Sequence, residues 1–271
     1  ALEEAYAKAE CPVVSNNSAN RFTPEDFDQV TPELLIDFYR ERIQSSQCRI
    51  MICGNVSDSV LEEISQAFAP MSNAPLPPEK RFTIHPSTPG RYNVPKPDAV
   101  QTSIRIGKTG VPLLHEDYTY FQLLNTILGG YFGSRLMSNI REEKGYTYGI
   151  GSYNVTMPLA SHWMIATDVN ADKAEATIEE CMKEIRRMQE EPVAEEELGL
   201  VKSYFNGELL RELDGVFAQS DALKHKLNYG QDNTFYLRAI DRIRSCTPDD
   251  IMRLARKYLK PEEMYVITAG K

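Results

Sequence analysis

The sequence predicts an α+β fold: a two-layer sandwich in which helices cover one face of a mainly antiparallel sheet. Three observations lead there. Short alternating segments of strand length are interspersed with longer stripes of helical period. Four consecutive helical stripes occupy the last third of the chain, and a single apolar strand closes it. A cap–helix–strand unit also occurs twice, so the last domain is preceded by the tail of a similar one.

Taken in order, the chain begins at Ala1 inside a helical pattern (Leu2, Tyr6) with no cap, and a targeting signal ahead of it is left open. Thr31 is an N-cap with Pro32 at the first helical position, and Leu34, Leu35, Phe38, Tyr39 and Ile43 keep an apolar stripe. Cys48–Gly54 (CRIMICG) is expected as a short buried strand. Val60, Leu61, Ile64 and Phe68 give another amphipathic helix. Eight of the sixteen prolines then fall between Pro70 and Pro97, a density that supports neither a helix nor an interior strand. The expected organisation is therefore residues 1–70 as the remnant of a first domain, 71–98 as a stiff linker and 99–271 as a second domain.

Within the second domain, Val100–Gly107 alternates as a strand, and a helix from about Asp117 ends at Gly129-Gly130. A shorter helix opens at Gly133-Ser134 and stops at Gly145. Strands are expected over Tyr146–Thr156 and His162–Val169. A long helix carries Ala174, Ile178, Cys181, Ile185 and Met188, and four more follow before the closing strand MYVITAG.

The repeat joins TPELLIDFYRERIQSSQCRIMICG (Thr31 to Gly54) and TPDDIMRLARKYLKPEEMYVITAG (Thr247 to Gly270). Cap and strand-ending glycine are 23 residues apart in both, which favours duplication over chance. The second unit has far more chain ahead of its cap than the first. By that difference about 118 residues of the first unit are expected to be missing.

Composition excludes some functions. The net charge is −9 and no basic run is present, which argues against a nucleic-acid partner. No stretch approaches the ~18 apolar residues of a membrane span. Five cysteines (Cys11, Cys48, Cys53, Cys181, Cys246) without CxxC spacing fit neither a disulfide framework nor a zinc knuckle and favour a reducing, cytoplasmic compartment.

The chemistry is concentrated in Leu123–Ile150, LLNTILGGYFGSRLMSNIREEKGYTYGI. The two glycines are expected to permit left-handed backbone, with Ser134 a cap. Arg141 is a cation at a helix end, and Tyr146 and Tyr148 are expected to share one face of the following strand, so that Arg141 and Tyr148 converge on one ligand. The structural alternative is a helix-end ion pair and a half-buried aromatic.

The ordered pattern LGG-x-x-x-SRL-x-x-x-[IL]RE-x-x-G-x-x-Y resembles the second domain of the insulinase/pitrilysin zinc metallopeptidases, which include mitochondrial processing peptidases. KLNYGQD, TPDDIMRLARKYL and VITAG follow the family pattern in order. The resemblance implies duplicated peptidase-like domains, peptide or unfolded-polypeptide substrates, and zinc. It also implies that Arg141 and Tyr148 reach the active site to bind substrate or stabilise the transition state, with Tyr146 and Ser134 as secondary candidates. Such donors hold peptide carbonyl oxygens or the charge that grows on them.

The family's H-x-x-E-H is absent. Three residues after His85, His115, His162 and His225 stand Thr88, Tyr118, Ile165 and Asn228, and the start His115-Glu116 lacks its second histidine at Thr119. Zinc is therefore expected in the parent protein through residues outside this sequence, in a missing first-domain segment or a zinc-bearing partner subunit. The alternative is a non-catalytic partner or scaffold subunit of the same family. The acidic run Glu195–Glu197 is read as a solvated helix start and Trp163 as core.

Overall fold

A computed structural model describes residues 30–75, 87–157 and 160–271. The helical pattern at Ala1, Cys11, His85 and the centre of the proline-rich stretch lie outside the described residues. The chain divides into two compact units, Ala1–Thr83 and Ile84–Lys271.

In the first unit, α1 (Pro32–Arg42) starts where the sequence places it. Thr31 is its cap, and the Thr31 hydroxyl accepts from the Leu34 N–H at 3.2 Å. A second helix, α2, spans Asp58–Phe68. The expected strand at Cys48–Gly54 is not formed, and Ile50 and Ile52 are exposed. An apolar run becomes a buried strand only when a neighbouring strand pairs with its edge, and among the described residues of this unit there is no strand. The stripe of α1 is likewise uncovered, with Leu34, Leu35, Phe38 and Tyr39 all about half exposed.

The second unit is a five-stranded sheet in the order β1-β5-β2-β4-β3, with β1 Gly90–Pro95, β2 Gln101–Thr109, β3 Ile150–Thr156, β4 Ser161–Asn170 and β5 Tyr265–Gly270. Only the β1–β5 pair is parallel. β1 lies within the proline-rich stretch read as linker. It is an edge strand ending at Pro95, the position in a sheet where a missing N–H costs least.

Alternation decides which face is covered. Thr102, Ile104 and Ile106 of β2 and Trp163, Ile165, Thr167 and Val169 of β4 are buried, whereas their neighbours in sequence are not. The helices on that face are α3 (Tyr118–Asn125), α4 (Ala174–Glu190), α5 (Glu195–Glu212), α6 (Gly215–Tyr229), α7 (Phe235–Ser245) and α8 (Pro248–Tyr258). Helix α8 packs on α3 and α4, and α5 and α7 close the layer beside α3. Each fully buried Ile, Leu or Phe contributes about 1.5–3 kcal/mol. Trp163 is core as expected, its indole N–H satisfied by Asn125 Oδ1 at 2.8 Å.

The repeat reappears in the caps. Thr247 accepts from the Asp250 N–H at 3.2 Å, and Asp250 returns a bond to the Thr247 N–H at 3.1 Å, a complete capping box. Both helices following a Thr-Pro start have 11 residues.

Candidate functional site

The motif segment winds unusually. Helix α3 continues into a π-helical turn, Thr126–Gly130, and a second π-helix covers Met137–Glu143. Wide turns of this kind are rare and concentrate at functional sites. The first sets Gly129 against β3, where a Cβ would come within 2.6 Å of the Ser152 N. Gly129 and Gly130 are thus not left-handed, contrary to expectation, and Gly129 serves a close backbone approach. Gly145 is the left-handed residue (φ 64°) that ends the second helix.

β3 begins only at Ile150, so Tyr146 and Tyr148 belong to a loop and the shared strand face does not exist. The reason is that main-chain groups of this segment already have partners and its Thr147 side chain ties it to β4: the Tyr146 N–H donates to the Ile140 carbonyl at 3.0 Å and the Gly149 N–H to Thr147 Oγ1 at 3.2 Å. The Thr147 hydroxyl donates to the Asp168 carbonyl at 2.8 Å, and Thr167 Oγ1 donates to the Gly149 carbonyl at 2.9 Å. Arg141 Nε donates to the Tyr148 carbonyl at 3.0 Å. The loop is therefore pinned by its main chain while its side chains are free to diverge.

They do diverge. Tyr148 is 96% exposed, and its hydroxyl has no hydrogen-bond partner among the described residues. Tyr146 turns inward against the core, with Lys173 Nζ 5.8 Å above its ring. Arg141 is half-buried, its guanidinium 4.8 Å from the Phe132 ring centroid and its Nη1 3.7 Å from Glu142. Ser134 precedes the second helix and is 1% exposed, yet its hydroxyl caps nothing and has no partner among the described residues. Arg141 and Tyr148 are thus joined through the Tyr148 main chain with the phenol outward, whereas Tyr146 is half-buried and Ser134 is buried.

Residues not foreseen from the sequence hold this arrangement. The Asn139 amide donates to Glu180 at 2.9 Å and to Glu184 at 2.8 Å, tying the motif helix to α4. Glu184 is 1% exposed and also receives Arg187. The Asn139 bond, with the charges of Lys144 and Lys183, overcomes burial and lowers the pKa of Glu180. Glu197 is not merely solvated, because it takes both ends of Arg135 at 2.9 and 2.8 Å. Two acids four apart on one helix face were the available signal.

No group of three His, Cys, Asp or Glu side chains converges among the described residues. His115 Nδ1 accepts the Asp117 N–H at 3.0 Å, and the His225 ring centroid is 4.4 Å from that of Tyr229. These residues do not fit zinc. Among the described residues, no helix is long and apolar enough to cross a membrane.

Residues 29–205 match the family described as the peptidase M16 inactive domain, in agreement with the resemblance carried by the motif. A protein of Rickettsia felis called an uncharacterized zinc protease is 28% identical over 233 residues, 84% of this chain and 54% of its own length. A probable inactive metalloprotease of Bacillus subtilis is 20% identical over 200 residues, 73% of this chain and 46% of its own. The chain spans about half the length of the curated relatives it matches. The crystal structure of a peptidase M16 inactive domain from Pseudomonas fluorescens shares the fold, with a TM-score of 0.77 and 23% identity over 91% of this chain and 59% of that one.

Proposed function

Because the chain belongs to the peptidase M16 family, matching its inactive domain, we propose that it is the substrate-handling part of a zinc metalloendopeptidase. In this reading Arg141 and Tyr148 grip the main chain of a peptide. Zinc is held by residues of the parent protein or of a partner subunit, not by this chain. The observation that carries the reading is the geometry at Tyr148: its carbonyl is anchored by Arg141 while its phenol projects, unpaired, into solvent. A phenol O–H on a pinned loop and a guanidinium on the helix before it are donors set in advance for peptide carbonyl oxygens. The paired caps of α1 and α8 support a duplicated-domain origin for the first unit.

The test is peptide cleavage by the whole protein. Arg141→Ala and Tyr148→Phe should each lower it while the fold is retained, and unchanged cleavage in both removes the site. A second reading is favoured by the relative named a probable inactive metalloprotease: a non-catalytic partner subunit. It predicts that the whole protein alone cleaves nothing, and that chelator-sensitive cleavage returns when a zinc-bearing subunit is added.

A further inference from the structure

Phe132 stands between the two π-helical segments of the motif, Thr126–Gly130 and Met137–Glu143. Its backbone is fixed by a tight turn: the Ser134 N–H donates to the Tyr131 carbonyl at 3.1 Å, closing over Phe132 and Gly133. The two aromatics of this turn part company. Tyr131 packs against the core, its ring centroid 5.7 Å from that of Tyr204. A Cβ at position 133 would come within 2.8 Å of the Tyr131 ring, so glycine there leaves that ring its place. Phe132 turns outward and is 64% exposed.

A single exposed aromatic is ordinary on a protein surface. What singles out Phe132 is the group that holds it. The Arg141 guanidinium lies 4.8 Å from its ring centroid, and Nε of the same guanidinium donates to the Tyr148 carbonyl at 3.0 Å. One cation thus joins the Phe132 ring to the loop from which the Tyr148 phenol projects. It covers part of the ring and leaves the rest to solvent. An extended peptide advances about 3.3 Å per residue. A residue whose carbonyl is held by Arg141 or Tyr148 therefore has a neighbour within reach of the Phe132 ring. An apolar side chain laid on that ring gains in proportion to the area both remove from water, and a small or polar one gains little.

We propose that Phe132 is a specificity-determining residue of the Arg141–Tyr148 site, selecting an extended peptide with an aromatic or branched aliphatic side chain beside the gripped carbonyl. This rests on the peptide-gripping reading of Arg141 and Tyr148 and names the substrate class of that site.

The probes are a fluorescein-labelled Gly-Ser peptide of about eleven residues, flexible along its length, with phenylalanine at its centre, and the same peptide with alanine there. Fluorescence anisotropy reads the binding of each to the whole protein. The phenylalanine peptide should bind about tenfold tighter. Phe132→Ala should bring that ratio close to one by weakening the phenylalanine peptide alone, and Phe132→Leu, which keeps an apolar surface, should retain most of it. Because the ring is exposed, Phe132→Ala should keep the urea midpoint of the unaltered protein. Tyr148→Phe should weaken both peptides alike and leave the ratio. A ratio that survives Phe132→Ala overturns the assignment, and the carbonyl grip still stands if Tyr148→Phe weakens both peptides. Unchanged binding in Tyr148→Phe removes the grip instead, while a ratio lost in Phe132→Ala keeps the apolar selection. No binding of either peptide, or equal binding of the two by the unaltered protein, also overturns the assignment.

Discussion

Arg141 Nε donates to the main-chain carbonyl of Tyr148 at 3.0 Å, so the cation holds the loop from which the phenol projects. Deleting the guanidinium therefore removes a substrate donor and loosens the other one. Arg141→Ala should lower kcat/KM of the whole protein on a peptide by about 10²-fold, and Tyr148→Phe by about tenfold. Because the Tyr148 ring is exposed, Tyr148→Phe should leave the melting temperature unchanged. Equal kcat/KM in all three proteins would contradict these roles.

Gly129→Ala should destabilise the second unit. The added Cβ meets Ser152 N at 2.6 Å and Ser152 Oγ at 2.7 Å, and backbone on a paired strand cannot step aside. A loss of about 1–3 kcal/mol is expected from overpacking, read as a lower urea midpoint. A midpoint equal to the unaltered chain's would show that β3 yields.

Asp117 links α3 to α8, accepting from Lys257 Nζ at 2.6 Å and from the Tyr258 hydroxyl at 2.7 Å. Burial raises its pKa, but these bonds and the charges of Lys257 and His115 outweigh burial and leave it below the ordinary 3.8. A depressed carboxylate stabilises the fold fully above its unfolded value, and that stability is lost as pH falls through the folded value. Asp117→Asn should therefore flatten the fall of the urea midpoint below about pH 4 and lower the midpoint at neutral pH. Parallel curves for the two proteins would exclude the link.

Burial pushes the thiols of Cys181 and Cys246 up to about 12, which disfavours the thiolate near neutral pH. Cys48 is exposed. Brief iodoacetamide treatment followed by peptide mapping should label Cys48 and leave Cys181 and Cys246 unlabelled until denaturant is added. Labelling of Cys181 without denaturant would mean that α4 opens.

Thr247→Ala breaks the capping box of α8 and should cost about 1 kcal/mol of second-unit stability. Thr31→Ala removes the matching bond in the other unit and should leave that transition where it was. The readout is the urea transition followed by Trp163, which is buried in the second unit and is the chain's single tryptophan.

Much of this architecture was written locally. Thr-Pro starts, apolar stripes and alternation placed α1, α4, α8 and β4 nearly to the residue, because caps and periodicity act within a few positions. The motif also singled out Arg141 and Tyr148, whose contact runs from the Arg141 Nε–H to the Tyr148 carbonyl. It did not foresee how they meet. Tyr146–Gly149 reads as strand, but Arg141 and Thr167 take its Tyr148 and Gly149 carbonyls instead, and these donors lie 7 and 18 residues away in sequence.

The sequence by itself determined the helices, the closing strand, the missing zinc motif and the family to which the ordered residues belong. Only the tertiary structure decided that Cys48–Gly54 does not form a strand, that Gly129 is a point of close contact, that Ser134 is buried and Tyr146 half-buried, and that the Gln231 amide is buried with no hydrogen-bond partner among the described residues. The division has one cause. Helix starts and stops depend on neighbours along the chain, whereas strand pairing, close approach and hydrogen-bond satisfaction depend on groups that only folding brings together.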